Sequence, residues 1–554
     1  MSKSFMIVSF TKKWIFIFVF IFSFLMVHGQ KHFKNPPKLI VGITIEEMRY
    51  EMLLRYWDTF TNNGLKKIIN EGAFCTQVHH NYLITQNAPG QASIVTGTYP
   101  SYHGIIADQW YDKLGKKEVG AGDEKKYNLM NGRISLGNFS PKNLLASTIG
   151  DELKLSLGDS SKVISIATNP VSSVISGGRL ADYAFWFNDE DGKWITGNYY
   201  IDSLPEWVDD FHEKDFRNIY MKQTWSTLYS LEQNYQSSLP DDNPFEIGIR
   251  LYRYTFPYDL NYLKNRSGNY KYLKYTTFGN TYTKDFAIST IIGENLGKDN
   301  FTDFLNVSFS ASSYAGDLFG PRSVEIEDIF LRLDRDIKHF IDFLDNHLGL
   351  ENVLIYITSD RGVSDVPEYL KYKKQNAGIF DPQKALLLLN SYLSILYGDG
   401  EWVDFYQSGQ LYINQQMIDQ SGVVLSEIQE QAAGFLVQYS GVAEAVPAMS
   451  MVTNQFTAGI KAKMQNSFHQ KRSGDVMVNL EPGWIEKNGK ATGSGSGYNY
   501  DTHVPLIWYG WEVKNSRIDQ SIGITDIAPT IAWILQITSP NACVGSPIYQ
   551  IIED

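Results

Sequence analysis

The chain has 554 residues, of which 43% are hydrophobic and 20% are charged. A chain of this length and apolar content can bury a large core, which excludes intrinsic disorder and suggests two or three lobes. Its formal net charge of −12 argues against nucleic acid as a partner, because phosphate backbones are bound by basic surfaces. Only a local basic patch would leave that class of partner open.

The N-terminus has the pattern of an export signal. Lys12 and Lys13 precede an apolar run over 14–27, and the small residue Gly29 follows it. This pattern predicts a signal peptide at 1–29, with the mature protein exported to the periplasm or cell envelope. A membrane anchor is the alternative, but fourteen apolar residues fall short of the ~20 that a spanning helix needs. We therefore expect no transmembrane anchor after cleavage, and the sequence does not indicate an oligomeric state.

The chain contains two cysteines, Cys75 and Cys543. In an exported protein they are compatible with one disulfide, and they are equally compatible with two buried free thiols.

Alternating apolar runs and amphipathic stretches predict an α/β fold. The runs 38–45 and 353–358 are continuously apolar, as in strands that are buried on both faces. Residues 323–347 carry an apolar stripe at helical spacing, with acidic residues in the first turn. Glu46 and Asp360 lie just beyond the carboxyl ends of the two buried strands. Open α/β sheets place their sites at the carboxyl ends of parallel strands, so these two residues mark a candidate site.

Two aromatic-rich stretches, at about 106–285 and 365–480, interrupt this alternation. We interpret them as insertions that form a cap over the sheet within one domain that spans 30–554. Their Trp and Tyr residues could line a glycan or lipid groove, and ordinary core packing is the alternative. The run 493–497, Gly-Ser-Gly-Ser-Gly, predicts a flexible loop.

One segment, 82–105, is especially informative. It contains Asn87-Ala88-Pro89-Gly90 and resembles the nucleophile segment of the alkaline phosphatase superfamily, type I phosphodiesterase/nucleotide pyrophosphatase-like branch. The likeness is greatest to the secreted phosphate-irrepressible alkaline phosphatases, which use a threonine. The resemblance implies a mostly parallel central sheet flanked by helices. Further similar segments follow in the same order, at 471–475, 480–483, 500–505 and 525–530.

The resemblance also implies two zinc ions and a threonine nucleophile, whose positions can be read in this sequence. The positions of the first metal site are Glu46, Asn87, Asp360 and Arg361, and those of the second are Ser313, Asp317 and His503. Only Asp360 and His503 keep the family's residue type. The family's cationic phosphate clamp falls on Asn169 and Val171, neither of which is charged.

These replacements predict a site without the family's chemistry. Asn87 has a carboxamide, which is a poor nucleophile, and we interpret it as the N-cap of a helix. Arg361 cannot donate a lone pair to zinc, and we expect it to pair with Glu46 and Asp360 in place of the metal. We therefore expect no cofactor, apart from a weak single metal at Asp317 and His503.

The leading hypothesis is an exported pseudophosphatase that acts as a binding or scaffolding protein in the cell envelope, with another envelope protein as a possible partner. One alternative is an active metal-dependent phosphomonoesterase or phosphodiesterase with a rearranged site. Another is a glycan or lipid head-group binder without turnover. The number of altered positions favours the first hypothesis over an enzyme.

Overall fold

A computed structural model describes residues 35–126, 138–235, 237–249 and 254–552. Residues 37–554 cluster as one unit. The predicted signal peptide at 1–29 lies outside the described residues. Within those residues, no helix is both long and apolar enough to cross a bilayer.

A nine-stranded sheet forms the centre of the described part of the chain. Its strands are β1 Leu39–Ile45, β2 Ala73–His79, β3 Val163–Ala167, β4 Tyr183–Phe187, β5 Trp194–Ile195, β6 Asp303–Phe309, β7 Val353–Thr358, β8 His503–Gly510 and β9 Ser516–Gly523. The spatial order is β9-β2-β8-β7-β1-β6-β3-β4-β5. The five neighbours β7, β1, β6, β3 and β4 are mutually parallel, whereas β8 and β5 run antiparallel to their neighbours. The predicted mostly parallel sheet is confirmed.

Strand register explains why distant residues meet at one edge of this sheet. Every residue of β1 is buried, as its continuous apolar sequence predicts. Thr44 pairs with Ser308 of β6 and with Thr358 of β7, so the three strands end at the same level. The residues that follow, including Glu46 and Asp360, therefore enter a common space at the carboxyl edge.

Helices cover both faces, as expected for parallel strands. Three of them matter for the site, α1 Asn87–Thr96, α2 Pro170–Gly177 and α3 Ala311–Phe319, and the long helix α4 spans Val324–Leu348. Helix α4 confirms the amphipathic helix predicted at 323–347, and the side chain of Ser323 caps it by accepting a hydrogen bond from the Ile326 N–H. The other helices of eight or more residues are Ile149–Leu157, Glu206–Glu213, Leu260–Ser267, Thr277–Gly293, Pro382–Tyr397, Leu425–Leu436, Gly459–Ser467 and Ile527–Leu535.

The first predicted insertion needs correction. Strands β3, β4 and β5 all lie within 106–285 and belong to the central sheet, so this stretch is not a cap throughout. Its aromatic residues are not distinguished from core residues by sequence alone, and Trp186 and Trp194 are in fact buried. The second stretch contributes a separate four-stranded antiparallel sheet with its own apolar core. The strands of this small sheet are Val403–Gln407, Gln410–Ile413, Val476–Leu480 and Val442–Pro447.

Both cysteines carry free thiols in this structure, which favours free thiols over a disulfide, although Cys543 is only partly buried. Cys75 is buried in β2, and burial raises the pKa of its thiol to about 12. Such a thiol is protonated and unreactive near neutral pH.

Gly90 allows α1 to approach the end of β7 closely. A Cβ at this position would lie 2.0 Å from the carbonyl oxygen of Asp360. We expect Gly90→Ala to lower the free energy of unfolding by about 1–3 kcal/mol, because backbone must move to relieve the contact.

Gly434→Ala is the matched control, since Gly434 lies in the helix Leu425–Leu436 and a Cβ there would have no neighbour within 4 Å. That change should be stabilising by about 0.5–1 kcal/mol through helix propensity. Denaturant midpoints measure both variants, and equal shifts in the two would contradict the close-approach argument.

Candidate functional site

Glu46 lies directly after β1 and is held by two hydroxyl groups. Its Oε1 is 2.7 Å from Ser172 Oγ of α2 and 2.9 Å from Ser310 Oγ, which follows β6. Glu46 as a whole residue is only 1% exposed. Three separate strand and helix ends therefore fix this side chain, as the common strand register requires.

Among the described residues, Arg361 is the only cation that pairs with two acidic side chains of this site. It forms ion pairs with Asp360 Oδ2 and, at 2.8 Å, with Glu47 Oε1. Its remaining N–H groups donate to Ser313 Oγ at 2.9 Å and to Ser494 Oγ at 3.1 Å. The prediction that it pairs with Asp360 is confirmed, but its second partner is Glu47 and not Glu46.

Backbone geometry explains the change of partner. Glu47 has a φ of 59°, in the left-handed region, so the regular alternation of strand side chains stops there. Two consecutive acidic residues can then face the same buried space. One of them, Glu46, bonds to serines, and the other bonds to the guanidinium.

Asn87 belongs to the site and does not cap α1, so the predicted N-cap role is wrong. Helix α1 begins at Asn87 itself, with Gln86 in the cap position, and neither side chain makes a capping hydrogen bond. The Asn87 Nδ2 donates to Asp360 Oδ2 at 3.0 Å, and its Oδ1 accepts from Ser172 Oγ at 2.9 Å. The carboxamide thus links the buried carboxylate to α2.

Ser172 faces two acceptor atoms although a hydroxyl has a single proton. Because Asn87 donates to Asp360, its oxygen faces Ser172 and needs that proton. The contact between Ser172 and Glu46 is then satisfied when the carboxyl of Glu46 is protonated and donates. Hydrogen-bond accounting therefore favours a neutral Glu46.

The pKa values of these buried acids are displaced in the same direction. Burial, together with the negative charge of Asp360, raises the pKa of Glu46 to about 7. Burial raises the pKa of Glu47 to about 8, against the opposing effect of Arg361. The pKa of Asp360 is also raised by burial, although the adjacent guanidinium lowers it.

The second predicted metal position is not assembled. The Asp317 carboxylate on α3 pairs with Lys490 at 2.8 Å. His503, the first residue of β8, stacks between the rings of Tyr50 and His79, and its Nε2 is 2.8 Å from the Thr76 carbonyl oxygen. The expected weak metal site at Asp317 and His503 is therefore not supported by these contacts.

The glycine-rich loop 493–497 contributes to the site, which its sequence did not indicate. Ser494 accepts from Arg361, and the hydroxyl of Ser496 donates to Asp501 Oδ2 at 2.5 Å. The sequence predicts only flexibility here, because glycine and serine are typical of mobile loops. Neither serine carries a periodic or charged signal that would have identified it.

The two predicted clamp positions lie at the start of α2. Asn169 caps this helix by accepting from the Val171 N–H at 2.9 Å. Both residues line a cleft above Asn87 with a volume of about 1330 Å³. Neither side chain is charged, so neither can neutralise a phosphate group. The contact of this helix with Glu46 and Asn87 comes from Ser172, one residue after Val171.

Comparison with known proteins shows where this arrangement belongs. A family model for type I phosphodiesterases and nucleotide pyrophosphatases matches residues 40–504. A protein named calcium-transporting ATPase, from Myroides odoratus, is 36% identical and the match covers 96% of this chain and 97% of that one. Alkaline phosphatase PafA from Elizabethkingia meningoseptica is 33% identical, with 95% and 97% covered. A crystal structure of wild-type alkaline phosphatase PafA matches with a TM-score of 0.90 at 32% identity, covering 94% of this chain and 99% of that one.

A large sheet of this topology with acidic groups at its carboxyl edge is the framework of an alkaline-phosphatase-like protein. The chain belongs to the type I phosphodiesterase/nucleotide pyrophosphatase family of the alkaline phosphatase superfamily.

The predicted absence of a cofactor is wrong when judged by these relatives. Alkaline phosphatase PafA matches nearly the whole chain, and the family resemblance implies that such phosphatases use zinc. The side chains do not fit two zinc ions, because Arg361 occupies the space among the acids and Lys490 holds Asp317. Over the described ranges, no three His, Cys, Asp or Glu side chains are grouped as a metal would require. The relatives thus indicate bound zinc, whereas the side chains of this site do not fit it. Elemental analysis of the purified protein will show which of the two holds.

Removing Arg361 should destabilise the protein strongly. Arg361→Ala leaves the buried Asp360 and Glu47 without their cation, and loss of one partner of a buried pair costs about 3–5 kcal/mol. The melting temperature should fall clearly at pH 9, above the pKa of about 8 at which Glu47 ionises in the wild type, and less at pH 5, where the stranded carboxyl groups are protonated. Arg517→Ala is the control, since the Arg517 pair with Asp519 is exposed and worth little. Equal melting of Arg361→Ala and wild type at pH 9 would show that the pair does not stabilise the fold.

Glu46→Gln should remove part of the pH dependence of stability. The raised pKa means that, between pH 4.5 and about 7, unfolded Glu46 ionises while the folded group stays protonated. Wild-type stability therefore falls over this window, by up to about 3 kcal/mol from this group, and is unaffected by it below pH 4.5. The carboxamide keeps a donor for Ser172 and does not titrate. Denaturant unfolding at several pH values should show the variant gaining on wild type up to pH 7, and a constant difference would refute the assignment.

Proposed function

We propose that this chain is an exported pseudophosphatase that binds a ligand in the cell envelope without hydrolysing it. The observation that carries the proposal is the environment of Asp360. Its Oδ1 accepts from the Glu47 N–H, and its Oδ2 accepts from both Asn87 and Arg361. A carboxylate with all these partners is not available to activate a nucleophile or to bind a reacting group.

The hydroxyl groups of Thr85, Ser93 and Ser172, which lie near Asn87 in the sequence or in space, do not replace a nucleophile at that position. Ser93 is buried on α1 and contacts His103 Nε2 at 3.1 Å, and neither residue lines the cleft. The hydroxyl of Thr85 donates to the Ser496 carbonyl oxygen. Ser172 is fully buried between Glu46 and Asn87. At the Asn87 position itself, a substrate phosphorus atom would therefore face an amide, which is a poor nucleophile.

Active hydrolysis is the second candidate, and the relatives favour it. Alkaline phosphatase PafA shares 33% identity and the whole fold with this chain. Function depends on the site more than on the fold, so the altered side chains favour the first proposal over this one.

We expect aryl phosphate monoesters and diesters to be turned over no faster than background, with Zn²⁺ added to the assay so that a lack of metal cannot explain the result. Asn87→Thr alone should stay inactive, because Asp360 remains paired with Arg361 and cannot assist the new hydroxyl. The measurement is release of aryl alcohol by purified protein. Robust turnover by wild type that disappears in Asp360→Ala would establish the second candidate instead.

A further inference from the structure

We propose that the cleft above Asn87 binds an uncharged oligosaccharide. This inference rests on the proposed function and names the class of ligand that the inactive site retains. The cleft lies between the carboxyl edge of the central sheet and the small sheet of the second inserted stretch. Its lining draws on both, from Asn87 and Asn169 on one side to Tyr406 and Gln407 on the other.

The size of the cleft favours a ligand of several linked units. Its volume of about 1330 Å³ exceeds the roughly 300–1,000 Å³ that is usual for small-molecule sites. A single phosphate ester of a small alcohol would leave most of this space to water. A chain of several rings would contact both walls.

The charges of the cleft argue against an anionic ligand. Five acidic side chains and three lysines line it, and no arginine is among the described residues of its lining. Two of the lysines are already paired, Lys487 with Asp381 at 2.9 Å and Lys490 with Asp317 at 2.8 Å. A phosphate, sulfate or carboxylate would meet net negative charge and few cations, which is unfavourable.

Neutral donors and acceptors dominate the rest of the lining. Eight carboxamide side chains line the cleft, together with the hydroxyls of four serines. A carboxamide can donate and accept at once, which matches the hydroxyl groups of a sugar. Trp484, which is partly exposed, adds aromatic surface against which the apolar face of a sugar ring can pack.

Isothermal titration calorimetry with four neutral hexasaccharides tests the proposal: maltohexaose, cellohexaose, xylohexaose and chitohexaose. We expect at least one of these hexasaccharides to bind more than tenfold tighter than its own monosaccharide. Hexagalacturonate, an anionic hexasaccharide, should bind more weakly than the best neutral probe. Gln407→Ala, which removes a half-buried carboxamide of the lining, should weaken binding at least tenfold. Gln438→Ala removes an exposed carboxamide outside the cleft and should change nothing.

Melting curves of the variants separate loss of the ligand site from loss of the fold, and Gln407 is only half-buried, so its variant should fold. The proposal is overturned if none of the hexasaccharides binds, if hexagalacturonate binds as tightly as the best neutral probe, or if folded Gln407→Ala binds like wild type. Aryl phosphate turnover is measured on the same preparation. Absent turnover with absent sugar binding would overturn this inference alone, whereas turnover would overturn the proposed function.

Discussion

The positive charge of Arg361 holds together a group of acids that would otherwise repel one another. Parallel strands end at one level, so the residues that follow them converge, and here the converging groups include three buried carboxyls. Burial makes charged forms costly unless they are paired and hydrogen-bonded. One guanidinium joins Asp360 to Glu47, and the surrounding groups are serines and an asparagine that add hydrogen bonds without charge.

Sequence periodicity predicts the framework of this site well, because burial on both faces leaves a direct mark on composition. The strand at 353–358 ends where its apolar run ends, and α4 begins after a serine cap with acidic residues in its first turn. The position of Glu46 and Asp360 at the carboxyl edge follows from the same strands. The bounds of the first insertion do not follow from the sequence, because a short buried strand such as β4 is as rich in aromatic residues as a cap would be.

The partners within the site could not be predicted, because they depend on local backbone geometry and on contacts between distant segments. The left-handed conformation of Glu47 breaks the alternation that would send consecutive side chains to opposite faces. Ser494 reaches Arg361 across 133 positions of sequence, from a loop whose composition indicates only flexibility. Asn87 has the residue type of a helix cap, and only the proximity of Asp360 and Ser172 gives it another role.

The floor and the rim of the cleft come from different parts of the chain. Substitutions in one part can therefore be tolerated independently of the other. Hydrogen bonds and ion pairs join the side chains of the floor to the strand ends of the central sheet, so a substitution there disturbs the core. The rim is formed largely by loops, a strand end and a helix start in the second inserted stretch and in the segment after it, near Gln383, Gln407 and Asn488. Mutations at those positions can alter what is recognised at little cost in stability, so a set of homologues could diversify in ligand while sharing one scaffold.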